Sequence, residues 1–195
     1  IRDSTFWNNA QQSAKFESAM PRLAKLDLAI DDTGTITMPQ IRARARRHGE
    51  AGLIVIDYLQ LITKERGVST YDHVTEASRQ AKLLAKELHC TVILLSQLNR
   101  KCEERPYGKN QPMLSDLRES GSIEQDADIV AFAYRDVVYN ENTSAPHIAE
   151  CITAKQRRGI PGTDFLREEF NCSRFVDHFG PKPEYGPAVK KAAGF

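Results

Sequence analysis

Gly52-Leu-Ile-Val-Ile-Asp57 is a continuous apolar run that ends in an acid. Such a run predicts a parallel strand covered on both faces, because helices on either side leave no face for polar residues to alternate onto. A polar loop over residues 63–70 follows. Asp72 then caps a predicted helix reaching Leu88, with Val74, Ala77, Ala81, Leu84 and Leu88 at spacings of 3, 4, 3 and 4 on one face. Thr91–Leu95 predicts a second apolar strand. Asp128–Ala133 and Ile148–Ala154 are further strand candidates, and residues 163–177 read as strands of imperfect alternation. Strands alternating with helices predict an α/β fold with a largely parallel sheet flanked by helices.

Upstream, residues 5–26 read as helical, with a break or kink at Pro21. Leu26–Ile30 is a short apolar run stopped by Asp31 and Asp32, which predicts a buried strand. Thr37-Met-Pro-Gln40 has the capping-box pattern, so a helix is expected to follow to about His48, with Gly49 as its stop. Residues 181–195, rich in Pro, Gly and Lys, are expected to form a flexible tail behind a domain over 1–180.

Composition narrows the function classes. The chain has 195 residues, 41% apolar and 27% charged. That is ordinary for a globular domain and excludes collagen, a disordered tail and a disulfide-dense miniprotein. No apolar run approaches the roughly 18 residues of a membrane span, no signal peptide is visible, and the scattered cysteines fit a reduced, cytoplasmic setting. The chain starts at Ile1 without a Met and is read as a piece of something longer. Lys and Arg total 27 against 26 Asp and Glu, a net charge of +1. Binding to nucleic acid by bulk charge is thereby excluded, and any such contact must be local. Cys90, Cys102, Cys151 and Cys172 are scattered, with no C-x-x-C pair, which argues against a metal or disulfide framework.

Chemistry concentrates where strands end. In open α/β sheets ligands bind at the carboxyl ends of strands. An acid at such an end, as Asp57 is, can hold Mg²⁺ through water beside nucleotide phosphates. Four apolars and an acid also describe a strand that simply ends in a polar residue. Val92-Ile-Leu-Leu-Ser-Gln97 ends the same way. A Gln amide can orient water or bond a phosphate oxygen, although Ser96-Gln97 alone reads first as strand-end capping. Ser115-Asp-Leu-Arg-Glu-Ser-Gly-Ser-Ile-Glu-Gln125 is polar, contains Gly121 and carries a second capping-box pattern, Ser122-x-x-Gln125. A turn into a helix N-terminus there suits an anion, with Arg118 as a phosphate donor; a surface helix–turn–helix is the plain alternative. Lys155-Gln-Arg157-Arg158-Gly-Ile-Pro-Gly162 predicts a cationic hairpin tip, suited to an arginine finger, to nucleic acid or merely to solvent. Arg42, Arg44, Arg46 and Arg47 decorate one helix, most simply as a solvated face.

Four segments together resemble bacterial replicative helicases of the DnaB type: GLIVIDYLQLI (52–62), LAKELHCTVILLSQLNR (84–100), SDLRESGSIEQDADIVAFAYRD (115–136) and ITAKQRRGIPGT (152–163). The match runs from about residue 24 to 179, and DLRESGSIEQDAD is its most specific part. The resemblance implies a RecA-like P-loop NTPase core in a homo-hexameric ring around single-stranded DNA, with ATP and Mg²⁺ as cofactors. It implies that Asp57 is the Walker B acid that places Mg²⁺ and that Gln97 senses the γ-phosphate. Arg118, Glu119 and Gly121 match the loop that holds the DNA backbone. Lys155 and Arg157 match the pair that reaches into the adjacent subunit's ATP site, while Arg158 stands where the family often has a non-basic residue. A helicase loader and a primase are implied partners, in a bacterium or a phage-infected bacterial host. The family's P-loop, G-x-x-x-x-G-K-S/T, occurs nowhere in these residues. The chain is therefore read as the carboxyl-terminal part of a helicase motor whose amino-terminal part is missing, inactive by itself toward ATP. The rival readings are a non-catalytic RecA-like DNA-binding or ATPase-adaptor module and a RecA-type recombination ATPase.

Overall fold

A computed structural model describes residues 10–106, 110–117 and 121–185. The chain divides into two compact units, Ile1–Thr33 and Gly34–Phe195. The first holds helix α1 (Ala10–Leu23), which runs through Pro21 to Leu23. Pro21 removes the N–H that would bond the Glu17 carbonyl, and the helix ends two residues later. The strand expected at Leu26–Ile30 does not form. Leu26, Leu28 and Ile30 are exposed, and no ladder partner is present for them among the described residues. An apolar run becomes a strand only when a neighbour takes up its backbone hydrogen bonds.

The second unit opens with α2 (Met38–His48). Gln40 N donates to Thr37 Oγ1 at 3.4 Å and Thr37 N to Gln40 Oε1 at 2.9 Å, so the expected capping box is made. Gly49 ends the helix at φ 96°, a backbone region that favours glycine. Strand β1 (Leu53–Ile56) follows, then α3 (Thr70–Glu87) and β2 (Thr91–Leu94). Ser69 caps α3, its Oγ accepting from Asp72 N at 3.0 Å. The expected cap, Asp72, sits instead in the first turn, where its charge favours the helix dipole. Glu87 at the end of α3 pairs with Arg42 and Arg46 of α2, which gives part of the arginine-rich helix a partner.

β1 and β2 pair in parallel, from Leu53 opposite Thr91 to Ile56 opposite Leu94. One face of this pair buries Ile56 with Met38, Leu59, Ile62, Val74, Ala77 and Ala81, and Ile54, Val92 and Leu94 pack against them. The opposite face is open: Leu53 and Val55 are 53% and 55% exposed, Ile93 44%. The expected covering of both faces is thus met on one only. Apolar continuity along a strand records what its side chains are, not what lies against them.

The remaining strands are antiparallel in the order β3 (Ile129–Tyr134), β4 (Ile148–Gln156), β5 (Gly162–Glu169) and β6 (Arg174–Asp177). The class is α/β, as expected, but among the described residues the parallel pairing is limited to β1 with β2 and an isolated bridge between Ile36 and Ile62. In β3 alternate residues Val130, Phe132 and Tyr134 are buried. A short helix, α4 (Gly121–Asp126), precedes it. Within the tail expected from 181 onward, residues 181–185 are tied down. Ser144 Oγ donates to the Glu184 carbonyl and Tyr185 Oη to Glu150, both at 2.6 Å. Residues 186–195 lie outside the described residues. Among the described residues no helix is long and apolar enough to cross a membrane.

Candidate functional site

Because β1 and β2 run parallel, their carboxyl ends emerge on one edge. Leu95 N donates to Ile56 O at 3.0 Å and Leu59 N donates back to Leu95 O at 2.9 Å, so the pairing continues just past both strands. Asp57 and Gln97 therefore leave the same edge, and both are exposed. The two most telling expectations from the sequence are brought together by a single backbone ladder.

A third residue joins them. Gln60 Nε2 donates to Ser96 Oγ at 3.1 Å, and Gln60 Oε1 accepts from Gln97 N at 3.3 Å. One amide thus holds the backbone at the end of β2 from the segment that follows Asp57. Gln60 was not singled out from the sequence. Its signal is a lone amide in Leu59-Gln-Leu-Ile62, an otherwise apolar stretch.

The donor set at this edge fits a water-mediated Mg²⁺. Asp57 offers an exposed carboxylate whose oxygens accept no hydrogen bond from the described residues. Among the described residues no group of three or more His, Cys, Asp or Glu could enclose a metal. A hard cation reached through one carboxylate keeps most of its water, which is the habit of Mg²⁺.

A second cluster forms around α4. Gly121 is its first residue. The capping box expected at Ser122 and Gln125 is not made. Ser122 lies inside the helix, and its hydroxyl donates to Thr75 Oγ1 at 3.0 Å. Ser78 donates to Asp126 at 3.0 Å, so two hydroxyl contacts and Ile123 seat α4 on α3 and the core. Arg118 and Glu119 lie outside the described residues.

The cationic turn forms as expected, as the connection between antiparallel β4 and β5. Lys155 Nζ donates to the Glu124 carbonyl, and Arg157 to the Gln125 carbonyl at 2.5 Å. Both contacts place positive charge at the C-terminal end of α4, where the helix dipole favours it. Arg157 N also donates to Asp128 O at 2.9 Å, with its guanidinium 3.7 Å from the Asp128 carboxylate. The hydrogen bond from Lys82, helped by the charges of Arg157 and Lys155, holds the Asp128 carboxyl below the usual carboxylate range. The Arg157 side chain remains half exposed, and Arg158 is exposed.

Residues 2–177 match the family model described as the DnaB-like helicase C terminal domain. Over 171 residues the chain is 50% identical to the replicative DNA helicase DnaB of Geobacillus stearothermophilus, covering 84% of this chain and 37% of that protein. It is 46% identical over 168 residues to the replicative DNA helicase DnaC of Bacillus subtilis strain 168, again 84% of this chain and 37% of the relative. The chain thus spans little more than a third of the length of these relatives. A DnaB-like replicative helicase whose structure was determined with its interactions with primase superposes with a TM-score of 0.84 at 35% identity, over 90% of this chain and 44% of that one.

Proposed function

We propose, since this chain belongs to the DnaB-like helicase C-terminal domain family, that it is the carboxyl-terminal part of the motor of a hexameric, ATP-dependent replicative DNA helicase translocating on single-stranded DNA. The observation that carries the reading is the common edge of β1 and β2, where Asp57 and Gln97 emerge together and Gln60, three residues after Asp57, accepts from the Gln97 backbone N–H. The fold is that of RecA-like helicase ATPase domains. The helicase solved with primase supports primase as a partner, with a helicase loader and further copies of this chain beside it.

In this mechanism Asp57 orders the water shell of Mg²⁺ at the end of β1. Mg²⁺, when bound, neutralises charge developing on the β- and γ-phosphates. Gln97 bonds a γ-phosphate oxygen or the attacking water. Because Gln60 holds its backbone, a change at the phosphate moves the end of β2 as one piece. Lys155, near the end of β4, and Arg157, in the turn after it, reach the nucleotide of the adjacent subunit. Arg118, Glu119 and Gly121 hold the DNA backbone.

Two measurements test the reading. The 195-residue chain by itself has no phosphate-cradling loop, and positioning supplies most of phosphoryl-transfer catalysis. It is expected to show no steady-state ATP turnover. Turnover that disappears in Asp57→Ala contradicts this, and favours a self-sufficient ATPase. In the longer helicase, Arg118→Ala is expected to weaken single-stranded DNA binding without sequence preference, and to lower the salt slope by about 0.7 for one lost phosphate contact. Unchanged affinity across a salt titration assigns this loop to the protein surface instead.

A further inference from the structure

The segment between Gln97 and Arg118 carries no role in the reading above, yet it is folded back on itself by one buried acid. Asp116 is 8% exposed. Its Oδ2 accepts from the Arg105 guanidinium at 2.5 Å and from Met113 N at 2.8 Å. Its own carbonyl accepts from Asn99 N at 3.0 Å. The same Arg105 nitrogen donates to the Gln111 carbonyl at 3.1 Å, and Arg105 Nε to the Cys102 carbonyl at 3.4 Å. Arg105 is therefore the hub of a clip: a single guanidinium gathers the backbone at 102 and 111 and the carboxylate of 116.

The clip's two ends are its most informative feature. Asn99 stands two residues after Gln97, and Asp116 two residues before Arg118. The hydrogen bond from Asn99 N to the Asp116 carbonyl thus joins the stretch just past Gln97 to a residue two positions before Arg118. The long excursion over 100–115 is bypassed. Asp116 is buried while Arg105 stays partly exposed, and a partly buried ion pair is a weak source of stability by itself. It does fix orientation, because one planar guanidinium donates in fixed directions to the Cys102 and Gln111 carbonyls and to the Asp116 carboxylate at once.

We propose that Arg105 and Asp116 are positioning residues that hold residue 116 against residue 99, and so couple the phosphate state at Gln97 to DNA held by the residues that follow Leu117. The assignment rests on the roles proposed above for Gln97 and Arg118. Shortening or loosening the clip leaves the Asp57–Gln97 edge intact, because Gln60 holds that edge independently. What it releases is the register of residue 116 against residue 99.

The test uses the full-length helicase that carries this chain. Arg105→Gln, Arg105→Lys and Asp116→Asn are compared with the parent and with Arg118→Ala. ATP turnover is measured without DNA and with saturating oligo(dT), alongside oligo(dT) affinity and melting temperature. In Arg105→Gln and Asp116→Asn, turnover without DNA and oligo(dT) affinity are expected to stay at parental level. Stimulation by DNA is expected to fall about fivefold or more, the lower end of common coupling between two sites. Arg105→Lys, which keeps the charge and loses the fork, should recover part of the stimulation. Parental stimulation in both charge-removing variants overturns the proposal, as does a loss that follows basal turnover and melting temperature down together. If Asp116→Asn does not fold, the two Arg105 variants decide by the same criteria. Should Arg118→Ala keep parental DNA affinity, the underlying reading of the loop fails instead. A crippled Arg118→Ala beside fully stimulated clip variants removes this proposal alone.

Discussion

Replacing Asp57 by alanine in the full-length helicase is expected to lower ATP turnover about 10–100-fold, the usual cost of removing an outer-shell partner of a metal ion. Folding should scarcely notice. Asp57 is exposed at the end of β1, and the core beneath is held by Ile56 and Leu59, which are 8% and 0% exposed. A surface substitution of this kind shifts stability by no more than about 0.5 kcal/mol. The loss should be partly relieved by raising Mg²⁺, because a weakened metal site fills again by mass action. Asp57→Asn should behave similarly, since the amide keeps the shape but not the charge. Wild-type turnover joined to a markedly lower melting temperature makes Asp57 a structural residue and removes it from the site.

Gln60 marks the boundary of what the sequence makes legible. The apolar runs at 53–56 and 91–94 announce two strands, and the acid and amide that end them announce the edge. Which strands pair, and in which direction, depends on what each run meets across the chain. Leu26–Ile30, interrupted by Asp27, finds no ladder partner among the described residues and stays irregular. Four later strands find antiparallel neighbours, while β1 and β2 pair in parallel. Local signals fared best where a few bonds over three residues decide the outcome, as at Thr37 and Gln40. They fared worst where two capping candidates lie within one turn, as with Ser69 and Asp72, or where a distant hydroxyl competes, as Thr75 does for Ser122. A strand end and a cationic turn singled out Gln97, Lys155 and Arg157 as candidates, and the family resemblance supplied the roles expected of them. The Arg105–Asp116 clip was invisible in sequence because its partners are separated by a turn-rich stretch with no pattern of its own.

Arg157→Ala is expected to abolish steady-state turnover in trans, by about 10³–10⁵-fold, the range an arginine finger contributes by stabilising transition-state charge. In the single chain Arg157 donates to the Gln125 carbonyl and lies near Asp128. A half-exposed contact of that kind contributes about 0–1 kcal/mol, so its loss leaves the fold in place. Lys155 still caps α4 at the Glu124 carbonyl, and the turn into β5 keeps its backbone bond to Asp128. The variant should therefore bind ATP and assemble, and fail only at hydrolysis. Mixing decides whether the guanidinium acts on its own subunit or the next. Full-length protein carrying Arg157→Ala with an intact P-loop is combined with protein whose P-loop is disabled and whose Arg157 is intact. Each is inactive alone. In mixed rings some interfaces set an intact P-loop against an intact Arg157, and partial turnover should return in proportion to their statistical share. No recovery despite verified mixing means that Arg157 acts within its own subunit, through the α4 end it already touches. Normal turnover in Arg157→Ala by itself leaves the cationic turn as a surface feature or a DNA contact.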